Sequence, residues 1–291
     1  MDHTEMIFRY RRFLKRVNYS PVTVEQYFYT IIRFTKWLDG PLYEVDANVI
    51  YEYLGFLHNR RLSAETINAY LNGIRKFYDY LRYEQKFKII NPVKASYRQM
   101  VPKPLPRFLK EQVDIFFDYI KNKRDIAIFM LMLRSGLRVT EVANLKISSI
   151  DWERKRILVL NGKFRKDRIV FMSDDTVTAL KNYFRIRPSF QVKKLFLVQK
   201  GICKGQPISS RGIQKRMEYY ANKSGIKITC HRLRHTMATQ LLNADAMLST
   251  VQELMGHECI ISTQRYAKVS NPKVRRDYFK AMESVMARAK K

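Results

Sequence analysis

The sequence is short of acidic residues, glycine, proline, cysteine and long apolar runs, and each shortage excludes something. Only 26 Asp and Glu face 55 Lys and Arg, leaving a net charge of +29 over 291 residues. No fold requires that surplus, and the compact chain must tolerate it as self-repulsion, so it predicts a polyanionic partner. Ten Gly and nine Pro exclude a collagenous or Gly/Pro-rich disordered chain. The longest apolar run, Ile126 to Leu133, falls far short of the roughly 20 residues that cross a bilayer. No apolar segment follows the basic Arg9, Arg11 and Arg12 to make a signal peptide. Cys203, Cys230 and Cys259 are too widely spaced for a disulfide framework or paired zinc ligands. A set of Cys230, His235, His257 and Cys259 fits no common zinc spacing either. No fixed-period repeat and no Gly-x-x-x-x-Gly-Lys-Ser/Thr loop occurs. The expectation is a cytoplasmic protein with no membrane association, no metal and no cofactor. What is plentiful is core material, 46% apolar and 13% aromatic residues, over a length that suits two domains.

Punctuation divides the chain. Ser20-Pro21 reads as an N-cap followed by proline at the first helical position. Val24, Tyr27, Ile31, Phe34 and Leu38 then recur at helical spacing until Asp39-Gly40 stops the run. A second strong helix opens at Ser63 and carries Ile67, Leu71, Ile74, Phe77 and Leu81 on one face. Shorter helices over Met6 to Phe13 and Val49 to Leu57 complete a helical domain spanning 1–91. Pro92, Pro102, Pro104 and Pro106, with Lys94, Arg98 and Lys103 between them, make 92–106 a basic linker. The remainder, 107–291, reads as helices with two strands, Arg156 to Leu160 and Arg168 to Met172, joined through Asn161-Gly162 as a hairpin. Helices then dominate through Ile213 to Ala221, Thr236 to Leu242, Leu248 to Met255 and Val274 to Ala287. The fold class is therefore mainly α with a small antiparallel β-sheet. Tyr27, Tyr70, Tyr78, Met130, Met132 and Met237 are read as packing groups.

Four stretches place phosphate-seeking side chains at structural breaks. In Gly136-Leu137-Arg138-Val139-Thr140-Glu141, Gly136 ends one helix, Arg138 enters the next, and Glu141 lies one turn on, able to hold the guanidinium or backbone donors. The hairpin tip, Gly162-Lys163-Phe164-Arg165-Lys166-Asp167-Arg168, crowds four cations into a turn; the plain alternative is a solvated turn. In His231-Arg232-Leu233-Arg234-His235, positions i and i+3 present His231 and Arg234 together, a bidentate donor beside a group that moves protons near pH 7. Leu254-Met255-Gly256-His257 is followed, nine residues after the histidine, by Tyr266.

Taken in order, these stretches resemble the tyrosine recombinase (phage integrase) family, nearest in layout to its Xer-like two-domain members. The resemblance covers essentially the whole chain. It implies a helical, SAM-like DNA-binding domain ahead of an α+β catalytic domain whose last helix links protomers. It implies catalytic roles for Arg138, Lys163, His231, Arg234, His257 and the nucleophile Tyr266, with Glu141 and His235 in support. The family pattern often has Gly-Lys-Gly at the hairpin where this chain has Phe164, so Lys166 stays a second candidate for the lysine. A Thr-His pair often follows the tyrosine, where Ala267-Lys268 stands here. The implied activity is site-specific recombination of double-stranded DNA by a homotetramer on paired sites. It proceeds through a 3′-phosphotyrosine and a Holliday junction without ATP or metal, with accessory DNA-binding proteins as further partners. Two alternatives compete: type IB topoisomerase-like cutting and resealing, and a non-enzymatic DNA-binding regulator. The second leaves the six-residue set without explanation.

Overall fold

A computed structural model describes residues 3–101, 110–160, 167–189 and 191–256 and divides into two compact units, Met1–Lys103 and Pro104–Lys291. The first contains α1 (His3–Arg16), α2 (Pro21–Trp37), α3 (Ala47–Asn59) and α4 (Ala64–Tyr83). Local chemistry sets the starts of these helices. Ser20 Oγ accepts from Thr23 N–H, Asp46 from Asn48 and Val49, and Ser63 from Thr66, each satisfying donors a helix leaves orphaned. The buried faces meet in an aromatic-rich core that includes Tyr10, Phe34, Ile50, Ile74 and Phe77. Gly73 allows α4 to lie close on α2, since a Cβ there would stand 2.8 Å from Thr30 Cγ2. Tyr78 is buried as expected and donates its hydroxyl to Leu42 O at 2.8 Å.

The stretch expected to be linker begins as part of this unit. Val93 is buried in the core, Arg75 donates to Val93 O at 3.2 Å, and Asn68 exchanges hydrogen bonds with the backbone of Gln99 at 2.8 and 2.9 Å. Only a single 3-10 turn, Ala95–Tyr97, forms there, but the lack of a longer helix or strand does not prevent packing, so 92–101 is tied down along much of its length.

The second unit contains α5 (Lys110–Asp118), α6 (Lys123–Arg134), α7 (Val139–Asn144), the strands β1 (Ile150–Asp151), β2 (Arg156–Val159) and β3 (Arg168–Phe171), and then α8 (Asp174–Phe184), α9 (Ser210–Ser224), α10 (Cys230–Asn243) and α11 (Leu248–Met255). The sheet is antiparallel in the order β1-β2-β3, with Val159 opposite Arg168 and Ile157 opposite Val170. A two-residue strand thus joins the expected hairpin. Helix α6 runs through the main core, its Ala127, Ile128, Leu131 and Met132 fully covered. A smaller cluster joins α10 to α11 through Met237, Ala238, Leu242, Val251 and Met255. Among the described residues no helix is long and apolar enough to cross a membrane.

One expected boundary moves. Periodicity predicts a helix from Thr236, yet α10 starts at Cys230, where Thr229 Oγ1 accepts from Arg232 N–H at 3.2 Å. The cap precedes the apolar repeat, and the whole His-x-x-Arg-His stretch therefore falls in the first turns of α10. The hairpin tip 161–166, with Lys163 and Lys166, and the segment 257–291, with His257, Cys259, Tyr266 and the expected last helix, lie outside the described residues.

Candidate active site

Glu141 is the centre of the arrangement. It occupies the third position of α7, with its side chain 6% exposed, and its two oxygens accept four hydrogen bonds. Oε2 takes the Arg138 backbone N–H at 2.7 Å and Arg168 Nη2 at 2.8 Å; Oε1 takes Arg138 Nη1 at 2.7 Å and Arg168 Nη1 at 2.9 Å. The first of these is the reaching-back half of a capping box, so one carboxylate both starts α7 and holds two guanidiniums. Arg234 Nη1 lies 4.0 Å from Oε2. Burial alone would raise the Glu141 carboxyl. The hydrogen bonds and charge of Arg168, together with the backbone and side-chain bonds of Arg138, outweigh it and carry the pKa down to about 2.

The same three arginines close on the end of α11. Arg138 Nη2 donates to Met255 O at 3.2 Å and Gly256 O at 2.9 Å, and Arg168 Nε to Leu254 O at 3.0 Å. Arg234 Nη1 donates to Gly136 O and its Nη2 to Met255 O. Cations at a helix C-terminus answer both its unpaired carbonyls and its dipole. Two glycines permit the approach. Gly136 and Gly256 both sit in the left-handed region, at φ +65° and +56°. A Cβ on Gly136 would meet Met237 Cε at 2.6 Å, and one on Gly256 would meet Arg168 Cδ at 3.2 Å.

The guanidiniums differ in access. Arg234 is 2% exposed and Arg168 8%, whereas Arg138 keeps 22%, so Arg138 is the one open to an incoming anion. His231, at the solvent-facing start of α10, stacks edge-on with His235, ring centroids 4.0 Å apart. The protein packed around it, then the charges of Arg234 and Arg138, lower its pKa below the ordinary imidazole value. A neutral imidazole beside fixed cations can take up a proton. Cys230 does not join this chemistry, because burial pushes its thiol up to about 11 and disfavours the thiolate.

The structure thus brings Arg138, Glu141 and Arg234 together, with His231 and His235 on the helix that carries Arg234. It also settles between two readings of Arg168, as a cation of the hairpin tip and as the first residue of the second strand. The residue begins β3, and its side chain is buried. The signal was present: strand alternation puts Arg168 on the same face as the fully buried Val170, while Ile169 and Phe171 point out.

Comparison with known proteins gives a concordant picture. The model of the phage integrase family matches residues 106–273, and that of the phage integrase N-terminal SAM-like domain matches residues 6–86. Tyrosine recombinase XerA of Thermococcus onnurineus is 31% identical over 280 residues, covering 95% of each chain. Tyrosine recombinase XerC of Staphylococcus epidermidis is 31% identical over 296 residues, covering 97% of each. Among solved structures, the Tn1549 transposon integrase in complex with transposon right end DNA superposes with a TM-score of 0.76 over 91% of this chain and 94% of the other. At 19% identity this shows the shared fold.

Proposed function

Because the chain belongs to the phage integrase family of tyrosine recombinases and is an enzyme of site-specific DNA recombination, we propose that it cuts and rejoins duplex DNA through Tyr266. The observation that carries this reading is the convergence of Arg138, Arg168 and Arg234 on Glu141 and on the carbonyls of residues 254–256. It sets fixed positive charge where the chain passes into Gly256-His257. Negative charge grows on the nonbridging oxygens as a phosphodiester is attacked, so cations held in place before reaction lower the barrier. Arg138 meets the phosphate from the solvent side, and Arg234 adds its charge from behind, with His257 as a further donor.

Tyr266 Oη attacks phosphorus and gives its proton to His231, a P–O bond to the tyrosine forms, and the bond to the 5′-oxygen breaks. Lys163 protonates that oxygen, with Lys166 the alternative. One phosphodiester is exchanged for another, so the reverse attack by a 5′-hydroxyl reseals the strand without ATP, and arginines take the part metal ions play elsewhere. The helical unit within 1–91 grips the duplex, and 107–291 carries the chemistry. Four protomers, linked through the segment Val274 to Ala287, exchange strands of two sites through a Holliday junction in the cytoplasm. Accessory DNA-binding proteins set direction.

The test is Tyr266→Phe on a nicked suicide substrate resolved by denaturing gel. Wild type is expected to leave a covalent adduct on a 3′ end and the variant none, while both bind the site equally. An adduct in the variant moves the nucleophile elsewhere, and a link to a 5′ end overturns the polarity.

A further inference from the structure

Arg168 uses three donors at once. Its Nη1 and Nη2 meet the two oxygens of Glu141 side by side at 2.9 and 2.8 Å, and its Nε meets Leu254 O at 3.0 Å. Simple neutralisation of Glu141 needs none of this, since Arg138 already supplies an opposite charge at 2.7 Å. A planar fork that joins a carboxylate to a backbone carbonyl is something arginine can build and lysine, a point charge, cannot. The backbone at Gly256 comes down on the stem of this side chain, so closely that a Cβ there would stand 3.2 to 3.3 Å from Arg168 Cδ, Cζ and Nε. Two separate parts of the chain are thereby referenced to one guanidinium.

We propose that Arg168 is a positioning residue for strand cleavage: it locks Glu141, and through it Arg138, to the end of α11 that leads into His257. The inference rests on the recombinase reading above. Glu141 Oε1 is shared between Arg138 Nη1 and Arg168 Nη1, so the carboxylate cannot turn without moving the guanidinium most open to the phosphate. Arg138 Nη2 in turn holds Gly256 O, which closes a loop of bonds from Glu141 through Arg138 to residue 256 and back through Leu254 and Arg168. Each member is fixed by two others. Arg168 also stands five residues after Lys163 in the sequence and begins β3, so the same clamp anchors the strand that carries the hairpin. Reacting groups drawn from α7, the hairpin and the chain after α11 need a common reference, because a misplacement of about 1 Å costs about 100-fold in rate.

The experiment uses the full chain with Arg168→Lys and Arg168→Met. Three quantities are measured: thermal melting, affinity for a single recombination site, and the single-turnover rate of adduct formation at saturating DNA. The rate is taken on an ordinary phosphodiester and on a methylphosphonate, which lacks one nonbridging charge. Positioning predicts affinity within about 3-fold of wild type and cleavage about 100-fold slower. The defect should shrink on the methylphosphonate, and Arg138→Lys measured alongside should show the same, since there is less charge to clamp. Arg168→Lys cutting at the wild-type rate, or a defect equal on both substrates, overturns the role and leaves Arg168 a stabilising residue. Should Arg168→Met fail to fold, Arg168→Lys decides. Wild type that forms no adduct overturns the recombinase chemistry and the role together, whereas wild type that cuts beside an equally active Arg168→Lys overturns the role alone.

Discussion

Among its described residues the second unit holds two buried carboxylates, each wrapped by arginines, and only one of them belongs to the proposed active site. Asp125, in the first turn of α6 and fully buried, accepts Arg124 Nε and Nη2 on one oxygen at 2.9 and 2.7 Å, and Arg216 Nε and Tyr220 Oη on the other at 2.8 and 3.1 Å. Glu141 is filled as completely by Arg138 and Arg168. The difference lies on the far side of the guanidiniums. Arg124 donates onward to Leu197 O at 3.0 Å, a carbonyl in the core of the unit, so that network ties α6, α9 and the 197 segment into one body. The arginines of Glu141 donate onward to the last carbonyls of α11, where the chain continues toward His257 and Tyr266. A buried ion pair is therefore not itself a sign of function, and what its other donors hold is.

The largest expected effect breaks the comparison on the side of the proposed active site. Arg138→Lys keeps the charge but loses the fork that reaches Glu141 and residues 255 and 256 together. Cleavage at saturating DNA should fall by on the order of 100- to 1000-fold, with single-site affinity little changed. Arg124→Lys, the same exchange in the other network, should leave the rate within about 3-fold. Comparable rate losses in both variants would mean that the two networks do one job.

Next come the carboxylates. Asp125→Asn and Glu141→Gln each strand buried guanidiniums, and each should cost about 3 to 5 kcal/mol in urea unfolding. Only Glu141→Gln should also slow cleavage by the folded protein. The acid limb of stability tests Glu141 further. Glu141 sits at about 2 against an ordinary 4.5, so its contribution is complete above pH 4.5 and disappears as pH falls from there through about 2. That contribution is roughly 3 kcal/mol. Glu141→Gln should flatten this part of the stability–pH curve; a curve as steep as wild type would mean that another group carries the acid transition.

How much of this could be read in advance depended on how local the cause was. Helices α2 and α4 begin where Ser20 and Ser63 say, because a cap acts within one turn. Arg138 and Glu141 were legible as a pair, being three residues apart on α7. Arg168 is 27 residues from Glu141 and 86 from Leu254, and only the packed sheet brings them together, so its neighbours in sequence made it look like one more turn cation. The Asp125 network was missed for the same reason. Arg216 and Tyr220 lie 91 and 95 residues away, and the apolar run begins only at Ile126 although the cap of α6, Asn122, comes before. Strand β1 has too few residues to show any alternation.

The smallest effect tests whether the arginines around Glu141 also tune the proposed proton acceptor. His231 is held below the ordinary imidazole pKa by the protein around it, by Arg234 and by Arg138, with His235 as its ring neighbour. A base must be neutral to accept a proton from Tyr266, so the cleavage rate should decline only as pH falls below 6.5. Stability moves the same way, because below 6.5 the unfolded chain takes up a proton that the folded site resists. Removing a nearby positive charge lets the ring protonate more readily. Arg138→Gln should therefore shift the acid limb of its residual activity to higher pH, whereas Arg124→Gln, whose charge belongs to the Asp125 network, should leave the limb where wild type has it. Rate–pH profiles of the three proteins on the suicide substrate measure this directly. A limb unmoved in Arg138→Gln would show that His231 is not the group whose protonation stops cleavage, and the acceptor would have to be sought elsewhere, with His235 the first to be changed.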